Sequence, residues 1–285
     1  MTNHIYIYTQ DLNFFYRLNK ELIRLNVNFG ILTVRNKIPS FASIILTTSE
    51  EIHKFEKNHK KLQILPYKKD ENFQYYILKI LAAYKIDYKE NYSVLIFSID
   101  PGTNHIGIAV FLDDFYLQSH TIYKKEMLIE VIQNYILCFQ KGNSNPITLI
   151  LKFGRGVISI TTELLKLVYD TFKSRKSMKV YLVDESRTSK IKIHDKKKQV
   201  RTKHEASALI IAMRKGIEVD SSNYLQVIRK KIFQNSKYHE RGEDDLAEVQ
   251  EKKLNLRKII ERILNNDISL SKSSELIKSL KIKPK

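Results

Sequence analysis

The stretch Ser93-Val-Leu-Ile-Phe-Ser-Ile-Asp100-Pro-Gly-Thr-Asn-His-Ile-Gly-Ile-Ala-Val110 decides how the rest of the chain is read. Val94 to Ile99 is almost wholly apolar and rich in β-branched side chains, as in a strand covered on both faces. Pro101 fixes φ and Gly102 admits φ > 0, so a tight turn follows Asp100. Ile106 to Leu112 then resumes as a strand. A carboxylate is therefore expected at the end of a buried strand, beside a returning hairpin. Asp-Pro-Gly is also an ordinary turn without chemistry, and only what lies downstream separates the two readings.

Working outward, residues 91–219 read as one domain. Ser93 to Tyr123 is expected as three antiparallel strands, and Lys125 to Gln140 as a helix that ends near Gly142 and Pro146. Ile147 to Leu151 is a buried-type strand, Ser159 to Ser174 a helix, and Val180 to Val183 a second buried strand running into Asp184-Glu185-Ser186-Arg187. A lysine-dense loop and a helix from Glu205 to Arg214 complete the pattern. Three antiparallel strands followed by two strand–helix crossovers give a mixed sheet with helices on both faces.

Residues 1–90 alternate strand and helix. The strands are His4 to Thr9, Phe29 to Val34, Ala42 to Thr47 and Leu62 to Leu65, with a helix after Asp11 and another over Asp70 to Lys85. This predicts a small α/β domain with a largely parallel sheet, a packing or recognition module without a phosphate loop or paired carboxylates. Residues 220–285 carry helical stretches, Leu246 to Leu264 and Ser274 to Leu280, and read as a basic helical appendage.

The chain has 285 residues, is 43% apolar and carries a formal charge of +18. That charge predicts an anionic partner, above all nucleic acid. No run approaches the ~18 apolar residues of a membrane span, and the N-terminus lacks a signal-peptide pattern. The single cysteine, Cys138, closes no internal disulfide, which fits a reducing, cytoplasmic setting. Its apolar helical surroundings mark it as core.

Three segments resemble a known superfamily. Asp100-Pro-Gly-Thr with Ile106-Gly-Ile-Ala-Val is similar to the first motif of the RNase H-like nucleases, in particular the RuvC-type Holliday-junction resolvases and the YqgF-type proteins. Val183-Asp-Glu-Ser-Arg-Thr-Ser resembles the YqgF motif, with Ser186 intervening before Arg187. His204-Glu-Ala-Ser-Ala-Leu-Ile-Ile-Ala resembles the last RuvC helix. Two departures stand out. RuvC-type enzymes end their fourth strand in glutamate, where this chain reads Leu151-Lys152-Phe153-Gly154-Arg155. Their final helix carries aspartate where this chain has Ser207.

The resemblance implies a nuclease, an endonuclease rather than an exonuclease, using Mg²⁺ or Mn²⁺. Its substrate would be branched DNA or, on the YqgF side, a structured precursor RNA, and RuvC-like enzymes that cut two strands act as homodimers. Such chemistry needs several carboxylates converging on hard cations. The expected set is Asp100, Glu185 and Glu205 as metal ligands, with His204 as a further catalytic group. Adjacent strand residues point to opposite faces, so only one of Asp184 and Glu185 joins Asp100, and the resemblance favours Glu185. Glu205 also has a plainer reading, as a partner of its own helix dipole. Lys196, Lys197, Lys198, Arg201 and Lys203, with Arg187, Lys152 and Arg155, are expected to contact phosphates. Two other readings remain. An actin-like ATPase would need a second glycine-rich motif, which is hard to find among 8 glycines. A nucleic-acid-binding protein that has lost cleavage is supported by the missing fourth-strand glutamate.

Overall fold

The computed structural model describes residues 4–33, 43–55, 62–86, 89, 91–141, 143–184, 199–229 and 244–281. The chain divides into two compact units, Met1–Glu90 and Asn91–Lys285.

In the first unit β1 (His4–Ile7), β2 (Phe29–Ile31), β3 (Ser43–Thr48) and β4 (Leu62–Tyr67) form an all-parallel sheet in the order β2-β1-β3-β4. Asp11 caps α1 (Leu12–Arg24), its Oδ1 accepting the Phe14 amide at 3.0 Å. Phe14, Leu18 and Leu22 of α1 are buried, as are Tyr76, Ile77, Ile80 and Leu81 of α2 (Phe73–Ile86). The rings of Phe14 and Tyr67 stack at 5.1 Å. β4 runs on through Pro66, which an edge strand tolerates because one row of its amides needs no partner. Ser49–Phe55 forms a 3₁₀ helix. Its buried Glu51 accepts the Gln10 amide at 2.7 Å and the Thr48 hydroxyl at 2.9 Å, tying together the segments that follow β1 and β3.

The second unit holds a six-stranded sheet of β5 (Val94–Pro101), β6 (Ile106–Leu112), β7 (Phe115–Ile122), β8 (Thr148–Gly154), β9 (Met178–Val183) and β10 (Ile217–Val219), in the order β10-β9-β8-β5-β6-β7. β5, β6 and β7 are an antiparallel meander. β8 adds parallel to β5 on the opposite side, and β9 parallel to β8. This meander followed by two parallel crossover strands is the RNase H-like architecture. β10 extends it antiparallel to β9.

Side chains alternate across β5. Phe97 meets Tyr135 of α3 (Met127–Gln140) with ring centroids 5.6 Å apart, and Cys138 of the same helix is buried. α4 (Ile158–Phe172) buries Leu164, Leu165 and Val168. On the opposite face, Ile96, Ser98 and Asp100 look toward α5 (Lys203–Met213), where Ala208, Leu209, Ala212 and Met213 join a core with Ile96, Phe111 and Tyr116. α6 (Tyr224–Arg229), α7 (Asp244–Leu264) and α8 (Leu270–Lys281) follow. Ile259, Ile260, Ile263 and Leu264 of α7 and Leu270 of α8 lie in that same core. The helices expected as an appendage thus cover the sheet.

The β6–β7 hairpin turns on Asp113 and Asp114, at φ 46° and 76°. Positive φ at both positions matches the right-handed strand twist. For a non-glycine residue that backbone is costly, and here hydrogen bonds offset the cost. Asp113 accepts the amides of Ser93 and Val94 at 2.7 and 3.0 Å. The Asp114 carbonyl accepts the Leu270 amide at 2.7 Å, and its carboxylate accepts the Ser271 amide at 3.1 Å.

Candidate active site

Asp100 lies near the end of β5, the strand that joins the antiparallel meander to β8. Its backbone pairs with Gly107 on β6, and Gly107 pairs with Thr121 on β7. These three share one row and one face of the sheet. Gly107 leaves that row bare, and the first turn of α5 rests on it. A Cβ at Gly107 would stand 2.1 Å from the His204 carbonyl oxygen and 2.7 Å from the Glu205 nitrogen. One at Gly102 would stand 2.4 Å from the His105 carbonyl oxygen and 2.9 Å from Cε1 of the His204 ring. Both glycines are there for close approach.

This seating brings two of the expected site residues together. His204 Nδ1 lies 2.9 Å from Asp100 Oδ2. The imidazole stacks on His105 at 5.7 Å and 16°, and His105 meets Tyr123 edge-on at 5.0 Å. Asp100 is only 7% exposed. Burial pushes its carboxyl above the ordinary range, and the hydrogen bond and charge of His204, with the charge of Lys203, pull it back in part.

Glu205 is placed differently. Thr202 caps α5, its hydroxyl accepting the Glu205 amide at 3.1 Å. Glu205 Oε1 accepts the Thr121 hydroxyl at 2.8 Å, and Oε2 accepts the Arg201 amide at 2.7 Å. The carboxylate therefore works as a capping group, in the manner of a Thr-x-x-Glu box. It is held at Thr121 of β7, the strand on the far side of β6 from β5.

Lys152 and Arg155, expected at phosphates, are engaged within the protein. Lys152 lies on the half-buried face of β8 that looks toward α5, and its ammonium donates to the carbonyls of Ala212 and, at 2.9 Å, Arg214, closing the C-terminus of α5. Burial pushes its pKa down to about 8. β8 runs to Gly154 rather than stopping at Leu151, because Lys152 and Phe153 still pair with β5 and β9 on either side. Arg155 donates to the Ile228 carbonyl at 2.7 Å, at the end of α6. Arg201 and Lys203 are exposed beside the start of α5. The Asp184 carbonyl, just after β9, accepts Nη1 of Arg214 at 2.6 Å. Glu185, Arg187, Lys196, Lys197 and Lys198 lie outside the described residues. Among the described residues, no group of three or more His, Cys, Asp or Glu side chains is arranged to hold a metal ion, and no helix is long and apolar enough to cross a membrane.

Sequence reasoning missed His105, Thr121 and Tyr123 as neighbours of the site. Gly107 carried a usable signal, since a glycine inside an apolar strand marks close backbone approach. Nothing in the sequence marked the two aromatic rings.

No family model matches the chain, and no curated protein does. Among solved structures, RuvC of T. thermophilus in complex with a Holliday-junction substrate is similar at 14% identity and a TM-score of 0.26. That alignment covers 41% of this chain and 90% of that one. The Argonaute Aa-Ago with externally bound siRNA is similar at 12% identity and a TM-score of 0.21, covering 64% of this chain and 35% of that one. An exopolyphosphatase from Cytophaga hutchinsonii gives 9% identity and a TM-score of 0.15, over 57% of this chain and 55% of that one.

Proposed function

We propose that this chain is a metal-dependent nuclease hydrolysing phosphodiesters in structured nucleic acid, a RuvC-like endonuclease of branched DNA. The observation that carries this reading is the Asp100–His204 pair at the carboxyl end of β5, seated by two glycines. An ionised Asp100 accepts the Nδ1 proton of His204 and leaves Nε2 as the ring nitrogen available to a reacting group. Such an arrangement lets the imidazole take a proton from an attacking water, or give one to a leaving oxygen once protonated. The +18 charge supports a nucleic-acid substrate.

Mg²⁺ or Mn²⁺ would supply charge stabilisation at the phosphoryl oxygens. Hard cations take several oxygen ligands. The described residues do not complete such a set: Asp100 is bonded to His204, both oxygens of Glu205 accept hydrogen bonds at the start of α5, and no third ligand-type side chain joins them. Glu185, after β9, is the proposed second carboxylate. β8 lies between β5 and β9, which sets their backbones about 9–10 Å apart.

A second reading, nucleic-acid binding without cleavage, is favoured by Lys152. It falls in the stretch where resolvases carry glutamate, and its ammonium holds helix carbonyls. One gel separates the two: labelled four-way junction, flap, duplex and structured RNA, each with Mg²⁺, Mn²⁺ or EDTA. Wild type should cut with metal and not with EDTA, while Asp100→Asn and Glu185→Gln should bind but not cut. Binding without cleavage by wild type would favour the second reading. Full activity in Asp100→Asn would end the first.

A further inference from the structure

His204, His105 and Tyr123 form a row of rings that starts at Asp100 and ends in solvent. His105 precedes β6 and Tyr123 follows β7, one row beyond the paired Ile106 and Ile122, so the rings project from neighbouring strand ends. The inner contact is a near-parallel stack, 16° at 5.7 Å, and the outer is edge-on at 5.0 Å. Tyr123 is 69% exposed. The other large apolar side chains exposed in this unit, Leu137, Ile158, Leu225 and Leu254, lie on helices. Tyr123 alone of these, among the described residues, belongs to a ring row that reaches the candidate carboxylate. Exposed cations flank the row, with Lys124 next to Tyr123 and Arg201 and Lys203 at the start of α5.

An open aromatic face beside cations is how proteins hold single-stranded nucleic acid. Bases stack on the ring while the cations follow the backbone. In a continuous duplex both faces of each base are already covered, so a side chain can stack only on an unpaired or extruded base. We propose that Tyr123, backed by His105, is a stacking platform for an unpaired nucleotide next to the phosphate handled at Asp100 and His204. Its position beside a scissile phosphate rests on the nuclease reading above. Its preference for unpaired over duplex nucleic acid does not. The platform selects a branch point or single-stranded arm and discriminates against uninterrupted duplex.

The test uses the full-length protein in EDTA, so that no cleavage intervenes. Short single-stranded DNA oligonucleotides carrying 2-aminopurine, and the same sequences as duplexes, are titrated by fluorescence. Wild type should quench 2-aminopurine in the single strand and bind it more tightly than the duplex. Tyr123→Ala should weaken single-strand binding by about ten-fold or more, the loss expected for one stacked base, and leave duplex binding within about two-fold. Tyr123→Phe should retain both quenching and affinity. Unchanged single-strand affinity in Tyr123→Ala, or equal losses on single strand and duplex, would overturn the platform. Cleavage is then read separately with Mg²⁺. Quenching without any cleavage leaves the platform standing and removes the nuclease reading. Cleavage with an unaltered KM on flap substrate in Tyr123→Ala removes the platform alone.

Discussion

Gly107→Ala tests whether the site depends on how closely α5 approaches the sheet. The added methyl would lie 2.1 Å from the His204 carbonyl oxygen and 2.2 Å from its carbon, where ordinary contact begins at 3.4 Å. The shortfall between 2.1 and 3.4 Å is 1.3 Å. Both neighbours are backbone, so no rotamer change relieves it, and either the first turn of α5 lifts or β6 bends. Overpacking of this kind costs about 1–3 kcal/mol. For a unit of this size each kcal/mol lowers Tm by about 2–4 °C, giving a drop of about 2–12 °C. Lifting His204 by the same amount stretches its 2.9 Å contact with Asp100 to about 4 Å, beyond a hydrogen bond. A misplacement of about 1 Å at a reacting group costs on the order of 10²-fold in rate. The measurements are kcat/KM on a junction substrate and a thermal melt, with Gly30→Ala as control. There the new Cβ meets the Tyr6 ring at 2.8 Å, a side chain that can swing aside, so cleavage should be unaffected. Wild-type rate and Tm in Gly107→Ala would refute the seating.

Lys152 makes stability depend on pH. Its folded pKa of about 8 lies below the unfolded value near 10.5, so between those values the unfolded chain binds more protons and stability rises with pH. Relative to Lys152→Met, wild type should gain on the order of 3 kcal/mol as pH rises from about 8 to 10.5 and lose the same amount as pH falls back to about 8; parallel urea-unfolding profiles would show that the ammonium is not desolvated. Neutralising Lys196, Lys197 and Lys198 together should weaken binding and flatten the slope of log K against log salt by up to about 0.9 per lost contact on duplex DNA. An unchanged slope would remove these lysines from the phosphate contacts.

The elements legible in the sequence were those whose pattern repeats locally. β5 and β6 read as apolar runs parted by Asp-Pro-Gly, and α1 read from its Asp cap and apolar stripe. The mixed character of the sheet followed from three antiparallel strands and two strand–helix crossovers. What stayed hidden depends on partners far away in the chain. Glu205 looks like a ligand until Thr121 and the Arg201 amide claim its oxygens. Lys152 looks like a phosphate contact until the end of α5 claims its ammonium. β10 is three residues long and forms only because β9 offers it an edge. The C-terminal helices have too many charges to read as core, yet Ile260 and Ile263 are buried at 0% and 1% exposure.

α5 is fastened at three levels along one side: Thr121 to Glu205, Ser98 Oγ to the Ala208 carbonyl at 2.7 Å, and Lys152 to the Ala212 and Arg214 carbonyls. The spacing is close to one helical turn per fastening. A rod held this way has discrete settings: sliding or rolling it must break all three polar contacts at once, so intermediate positions are excluded. His204, in the first turn of α5, is therefore indexed to the sheet by the fastenings of its own helix.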